Sequence, residues 1–244
     1  MRSFITSATI AIVALCSTAI STSAAERIKR DSRTESLEHF NKISVGEGII
    51  VNYTPFGSDT YATVSAPDGV LENIELTQVG DCLKVDYAKD YAEVRHYGEA
   101  IVNVTCPGLV TNYEAHSAGT IDVRSAINSP LADITVEAST DGLISFRDVQ
   151  CNKLNIECRS GSKVIADEIA CDDVVCESTA TSKVELTGNC HTCTLIAATH
   201  STIEASKLDA YAGSVTSGDR CMVSSHIRSV SEPTIPSSDN VAEL

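Results

Sequence analysis

Cys158–Ala166 reads CRSGSKVIA, Ser178–Leu186 reads STATSKVEL and Ala197–Ala205 reads AATHSTIEA. Laid over one another, their seventh positions are Val164, Val184 and Ile203, and their ninth are Ala166, Leu186 and Ala205. The frame extends upstream to Ala115–Val123 (AHSAGTIDV) and Ala138–Phe146 (ASTDGLISF), and downstream to Val215–Val223 (VTSGDRCMV). The seventh column then runs Ile121, Ile144, Val164, Val184, Ile203, Cys221, at spacings of 23, 20, 20, 19 and 18 residues. Residues ahead of each segment alternate: Ile134/Val136/Ala138, Leu154/Ile156/Cys158, Val174/Cys176/Ser178 and Cys193/Leu195/Ala197. Period two is the mark of a half-buried strand. A further apolar column, Val149, Ile169 and Leu208, follows the turn.

A coil of about 20 residues cannot bury its own apolar side, whereas stacked coils can, each strand pairing with its equivalent one rung away. An antiparallel meander could match the strand lengths but gives no reason for side chains to repeat in columns. The expected fold is therefore all-β, a parallel β-helix or solenoid, right-handed by the crossover rule. The turns carry Ser117, Thr140, Ser160, Ala180, Thr199 and Ser217 in one column, with Gly119, Gly142, Ser162, Ser182, Ser201 and Asp219 two residues on. Hydroxyls can bond turn backbone, and glycine would supply positive φ at the bend.

The rest of the chain divides around these repeats. Residues 1–25 read as a secretory signal peptide: Arg2, an apolar run Ala8–Leu15, and small residues Ser23-Ala24-Ala25 for cleavage. The apolar run is too short for the roughly 20 residues of a membrane span. Cys16 is a candidate for lipidation, the one expected route to a membrane, although Leu15 occupies a position where lipoprotein signals usually carry a small residue. Residues 26–38 are charged and read as a tether. Residues 39–108 form a β-rich N-terminal section that caps the open end of the solenoid. The repeats occupy 109–228, and 229–244 are a polar tail. The chain is expected to be exported, to the periplasm, the outer-membrane surface or the medium.

Composition narrows the function. The chain of 244 residues has a net charge of −15, no Trp and 5% aromatic residues, yet is 43% hydrophobic. It offers no basic surface for nucleic acid and is too apolar for a disordered chain. A narrow solenoid interior accounts for a core of Val, Ile, Leu, Ala and Cys.

Three groups of residues bear on chemistry. Glu114, Glu137, Glu157 and Glu177 share an outward register; carboxylates stacked about 4.8 Å apart should raise one another's pKa, and a cation such as Ca²⁺ would relieve them. Arg159 lies close enough to neutralise part of the column. Cys151, Cys171 and Cys190 form a column at disulfide range, against the plainer reading of small core fillers. Cys190-His191-Thr192-Cys193 is a CxxC, with His200 the nearest further ligand candidate. No nucleophile elbow, phosphate loop or HExxH is present, so no catalytic residue and no cofactor is assigned. Lys163, Lys183 and Arg220 are expected to pair on the surface with Glu185 and Glu204.

Two stretches also resemble a known family. Phe40-Asn41-Lys42-Ile43-Ser44-Val45-Gly46, Ile49–Tyr53 and Asp81-Cys82-Leu83-Lys84-Val85 are similar to the opening of the bacterial auto-transporter adhesin family with the head GIN domain. Thr105-Cys106-Pro107-Gly108-Leu109, followed by His116–Val123, resembles that family's P-x-L … SGAGDV transition into repeats. The resemblance covers roughly Phe40–Val223. It implies an exported β-helical envelope protein, often lipid-anchored, that works as an interaction module. Its partner would be a glycan, a surface protein or a second copy of itself. The later turns drift from SGAG to STATS and AATHS, and nine cysteines after the signal are not a family trait. The alternatives are a polysaccharide-active β-helix enzyme and a purely structural envelope protein.

Overall fold

A computed structural model of the chain describes residues 30–67, 69–88 and 100–230. The signal segment, Cys16 and nearly all of the polar tail lie outside them. The N-terminal section supplies β1 (Arg30–Ser36), β2 (Lys42–Val45), β3 (Ile50–Thr54), β4 (Tyr61–Pro67), β5 (Ile74–Val79), β6 (Cys82–Tyr87) and β7 (Ile101–Thr105). The repeats supply β8 (Asn112–Ala115), β9 (Thr120–Val123), β10 (Ile127–Ala138), β11 (Leu143–Phe146) and β12 (Val149–Cys158). They continue as β13 (Lys163–Thr179), β14 (Lys183–Ala198), β15 (Thr202–Ser217) and β16 (Met222–Val230). Among the described residues a single 3-10 turn, Leu71–Asn73, is the only helical element.

The repeats form the expected parallel β-solenoid. Each coil has three sides. The first is built from β8 and the C-terminal parts of β10, β12, β13, β14 and β15. The second is β9, β11 and the N-terminal parts of β13, β14, β15 and β16. The third begins at Ile127–Ser129 and passes through Val149–Cys151, Ile169–Cys171 and Gly188–Cys190. Inward columns are fully buried, as in Ile121, Ile144, Val164, Val184 and Ile203. Inner rungs pair with the coil above and the coil below, so most of their buried peptide groups are satisfied within the sheet.

The last coil departs from the expected alignment. Ile203 pairs with Val223 and Leu195 with Val215, so Val223, not Cys221, continues the seventh column. The slip is two residues, which keeps each side chain on its expected face but places it in a different column.

The turn between the first and second sides corrects the role given to glycine. Positive φ falls on paired residues, Ser117-Ala118, Thr140-Asp141, Ser160-Gly161, Ala180-Thr181 and Thr199-His200. Rung-to-rung bonds hold them there: Ala118 N donates to Thr140 O (2.9 Å) and Thr181 N to Thr199 O (3.0 Å). Gly119 and Gly142 serve a different need. A Cβ on Gly142 would lie 2.3 Å from Ala115 O, and one on Gly119 2.6 Å from Val45 O. Later coils carry serine at this place. Ser162, Ser182 and Ser201 are buried, and each hydroxyl donates to a carbonyl of the preceding rung: Ala138 O (2.8 Å), Cys158 O (2.8 Å) and Ser178 O (2.6 Å).

The N-terminal section continues the solenoid and caps its end. β2 lies between β6 and β8, and β3 between β7 and β9, all parallel. The second rung in sequence (β6, β7) is thus the outermost in space. Its edges are covered by antiparallel strands, β5 on β6 and β4 on β7. The residues read as a tether include β1, which pairs with β4 in full register from Arg30↔Pro67 to Ser36↔Tyr61. This strand is polar on both faces and is held by backbone pairing, so hydropathy carries no trace of it. The Arg33 guanidinium donates to the carbonyls of Leu71 and Ile74, tying the strand to the 3-10 turn.

Candidate functional site

The first side presents an outward surface whose columns the register fixes. Glu114, Glu137, Glu157 and Glu177 are successive neighbours, as the spacing predicted. Beside them run Asn112, Thr135 and Asn155. Basic residues modify the acidic column. Lys42 Nζ lies 2.6 Å from Glu114 Oε2, and Arg159 pairs with Glu157. Partial burial pushes the Glu114 carboxyl up, but the hydrogen bond and charge of Lys42 outweigh it and leave it below the ordinary glutamate value. Mutual repulsion is therefore not what governs Glu114, contrary to expectation. Lys42 is raised, chiefly by the same hydrogen bond. Among the described residues no group of three or more His, Cys, Asp or Glu side chains is arranged to hold a metal ion. Lys42 and Arg159 place positive charge beside Glu114 and Glu157.

The second side carries the column Asn52, Asp122, Ser145, Ile165, Glu185, Glu204 and Ser224. Lys163 reaches Glu185 (2.8 Å), and Lys183 bridges Glu185 and Glu204 (3.0 Å each). The Glu185 carboxyl is lowered, first by the Lys163 hydrogen bond. Arg220 contacts His200 instead of a glutamate, with Nη1 3.3 Å from Nε2. These groups satisfy one another along the ladder.

The cysteines gather where the third side turns into the first. Cys151, Cys171 and Cys190 stack in register. Cys193 lies across the corner, in the column of Val174. His191 points away and stacks on Tyr211, ring centroids 5.3 Å apart. His200 sits on the turn at the opposite end of its coil, so the CxxC and His200 do not converge.

Two features escaped the sequence reading. The first is a cleft of about 210 Å³ between Pro55-Phe56, Pro107–Leu109 and Ala126–Ser129. Next to it, Pro130–Ala132 bulge from β10, three residues where β12 has only Asn152, and Leu131 stands 94% exposed. Prolines interrupting apolar runs were the available signal. The second is Asp86. Its Oδ1 is buried without a hydrogen-bond partner, and burial raises its pKa against the pull of His116. Gly46 leaves the gap that Asp86 and His116 fill from either side: a Cβ there would meet Asp86 Oδ1 at 2.6 Å and His116 Cε1 at 2.4 Å.

Comparison with known proteins agrees with this architecture. A crystal structure of a putative adhesin from Parabacteroides distasonis superposes with a TM-score of 0.66 at 14% identity, covering 83% of this chain and 97% of that one. One from Parabacteroides merdae, also a putative adhesin, gives 0.65 at 14%, over 83% and 95%. A putative lipid binding protein from P. distasonis gives 0.64 at 14%, over 82% and 94%. At these identities the likeness speaks for the fold alone. No curated protein matches the chain. The family described as "Putative auto-transporter adhesin, head GIN domain" matches residues 39–218, which is most of the chain, and the protein belongs to that family.

Proposed function

We propose that the protein is an exported, adhesin-like module of the cell envelope that binds a glycan through the first side of its solenoid. The register of Glu114, Glu137, Glu157 and Glu177 beside Asn112, Thr135 and Asn155 carries this reading. Carboxylates and amides offer acceptors and donors for sugar hydroxyls. Their repetition about every 4.8 Å suits a polymer that presents the same group again and again. With a net charge of −15, the face favours neutral or amine-bearing glycans over acidic ones. The signal-like N-terminus supports export. The enzyme alternative has less support, because Asp122, Glu185 and Glu204 on the second side are tied to Arg124, Lys163 and Lys183 rather than gathered around a cleft.

A glycan array probed with wild type and with Glu137→Ala/Glu157→Ala tests the proposal. Wild type is expected to bind a neutral or amino-sugar set that the double variant loses. Binding unchanged in the variant would move the site off this face. No binding to any glycan, together with pull-down of a surface protein, would replace the glycan with a protein partner.

A further inference from the structure

We propose that the four cysteines at the corner between the third and first sides are a disulfide-forming site, pairing as Cys151–Cys171 and Cys190–Cys193. Cys151 and Cys171 are in-register neighbours on adjacent rungs, and their Sγ atoms lie 3.0 Å apart. Strands so paired hold Cα atoms about 4.8 Å apart, inside the range a disulfide spans. The second pair depends on the corner. In an extended strand, residues three apart point to opposite faces. Here inward Cys190 is followed by exposed His191, half-buried Thr192 and inward Cys193, so the chain turns and brings both thiols to one place. The same break recurs at Cys151–Leu154 and Cys171–Val174, which shows that the corner belongs to the fold and not to the CxxC. Each of these two thiols is the first influence on the other's pKa.

Each pair has an outer and an inner member. Cys171 and Cys190 are 8% and 7% exposed, Cys151 and Cys193 3% and 1%. In both pairs the outer thiol is lowered, first by the hydrogen bond from its inner partner, and the inner one is raised. The outer thiol, the one solvent reaches, is the attacking group and the inner thiol the resolving one. With a small-molecule disulfide R–S–S–R as oxidant, the Cys190 thiolate attacks one sulfur, forming Cys190–S–S–R and expelling R–S⁻. Cys193 loses its proton, attacks Cys190 Sγ and expels the second R–S⁻. The protein dithiol is oxidised by two electrons and the donor is reduced to two thiols. Cys171 and Cys151 follow the same course with a second donor molecule. An exported chain meets such oxidants.

The test is to incubate the folded, reduced chain with glutathione disulfide, alkylate it and map the peptides by mass. The expected result is loss of four thiols, with linkages Cys151–Cys171 and Cys190–Cys193. Removing a resolving thiol should trap the intermediate. Cys151→Ser should carry glutathione on Cys171, and Cys193→Ser should carry it on Cys190. Unchanged thiol content, a Cys171–Cys190 linkage, or adducts on the inner cysteines would overturn the proposal. Because wild-type mapping needs no substitution, the outcome stands even where a variant fails to fold.

Discussion

The two ends of the solenoid meet solvent differently. At the N-terminal end the outermost rung is sealed by antiparallel β4 and β5, with β1 laid over β4. Its neighbours hold the aromatic part of the core, Phe40, Tyr53, Tyr113 and Phe146, all fully buried. At the C-terminal end β16 pairs only with β15 among the described residues. Val215, Val223 and Ile227 are partly exposed there, and Met222 is 69% exposed. Val223 occupies the same column as Ile144 and Val184, which are wholly buried. In a stack, burial is set by the neighbouring coils more than by the residue itself, so position along the solenoid decides what each side chain contributes.

The largest expected effect tests the aromatic part. Phe146 meets Tyr113 edge to face at 5.0 Å, and Tyr113 donates its hydroxyl to Val110 O at 3.0 Å. Phe146→Ala should cost roughly 3–5 kcal/mol, read as a fall in the urea midpoint. A cost near 1 kcal/mol would mean that the aromatic cluster is loosely packed and the comparison of the two ends is drawn in the wrong place. Gly142→Ala comes next, at roughly 2–3 kcal/mol, because its Cβ meets a backbone carbonyl that cannot move without shifting a whole rung. The equivalent in a later coil is Ser182→Ala, which already accommodates a Cβ. It should cost only about 1 kcal/mol for the lost hydrogen bond. Equal losses at the two sites would show that the close backbone approach at Gly142 does not set its coil apart from the later one.

A smaller effect compares one column at two depths. Val184→Ala should cost roughly 2 kcal/mol, and Val223→Ala about 0.5 kcal/mol, since the latter loses surface that is partly wet already. Thermal melting of the two variants side by side checks this. If Val223→Ala proves as costly as Val184→Ala, something covers the C-terminal end in solution.

What could be read from sequence follows the same division. The middle coils were legible because apolar residues recur in phase at nearly constant spacing, and the Glu and Cys columns were placed correctly for that reason. The last coil slipped by two residues because few of its inward positions are strongly apolar, leaving Val215 free to align with Ala197 instead of Leu195. The N-terminal rungs were recognisable as strands, but their spatial order, with β6 outside β2, depends on pairing across some 40 residues that no local pattern encodes. β1 left no apolar signal at all. At the candidate surface, the carboxylate column was visible, whereas its neutralisation by Lys42 was not, because Lys42 reaches Glu114 only once β2 and β8 lie side by side.

That ion pair gives the smallest of the expected effects and separates the ends electrostatically. Glu114 is lowered in the folded chain, so it contributes stability that is present above the unfolded glutamate pKa of roughly 4.3 and is lost as pH falls through the lower folded value. Lys42 is raised, so its contribution is present below the unfolded lysine pKa of roughly 10.4 and disappears as pH climbs through the folded value. Both side chains are about one-third exposed, at 36% and 33%, and water screens them. Lys42→Ala should therefore cost no more than about 0.5 kcal/mol at neutral pH. The difference between wild type and variant should shrink towards zero in acid once Glu114 is protonated. At the other end Asp209 is likewise lowered, first by its hydrogen bond from Arg228, but that pair is more exposed, at 61% and 40%. Arg228→Ala should leave the urea midpoint unchanged in moderate salt, where exposed charges are screened. A measurable loss at Arg228 equal to that at Lys42 would show that the open end is more ordered in solution than its exposure implies.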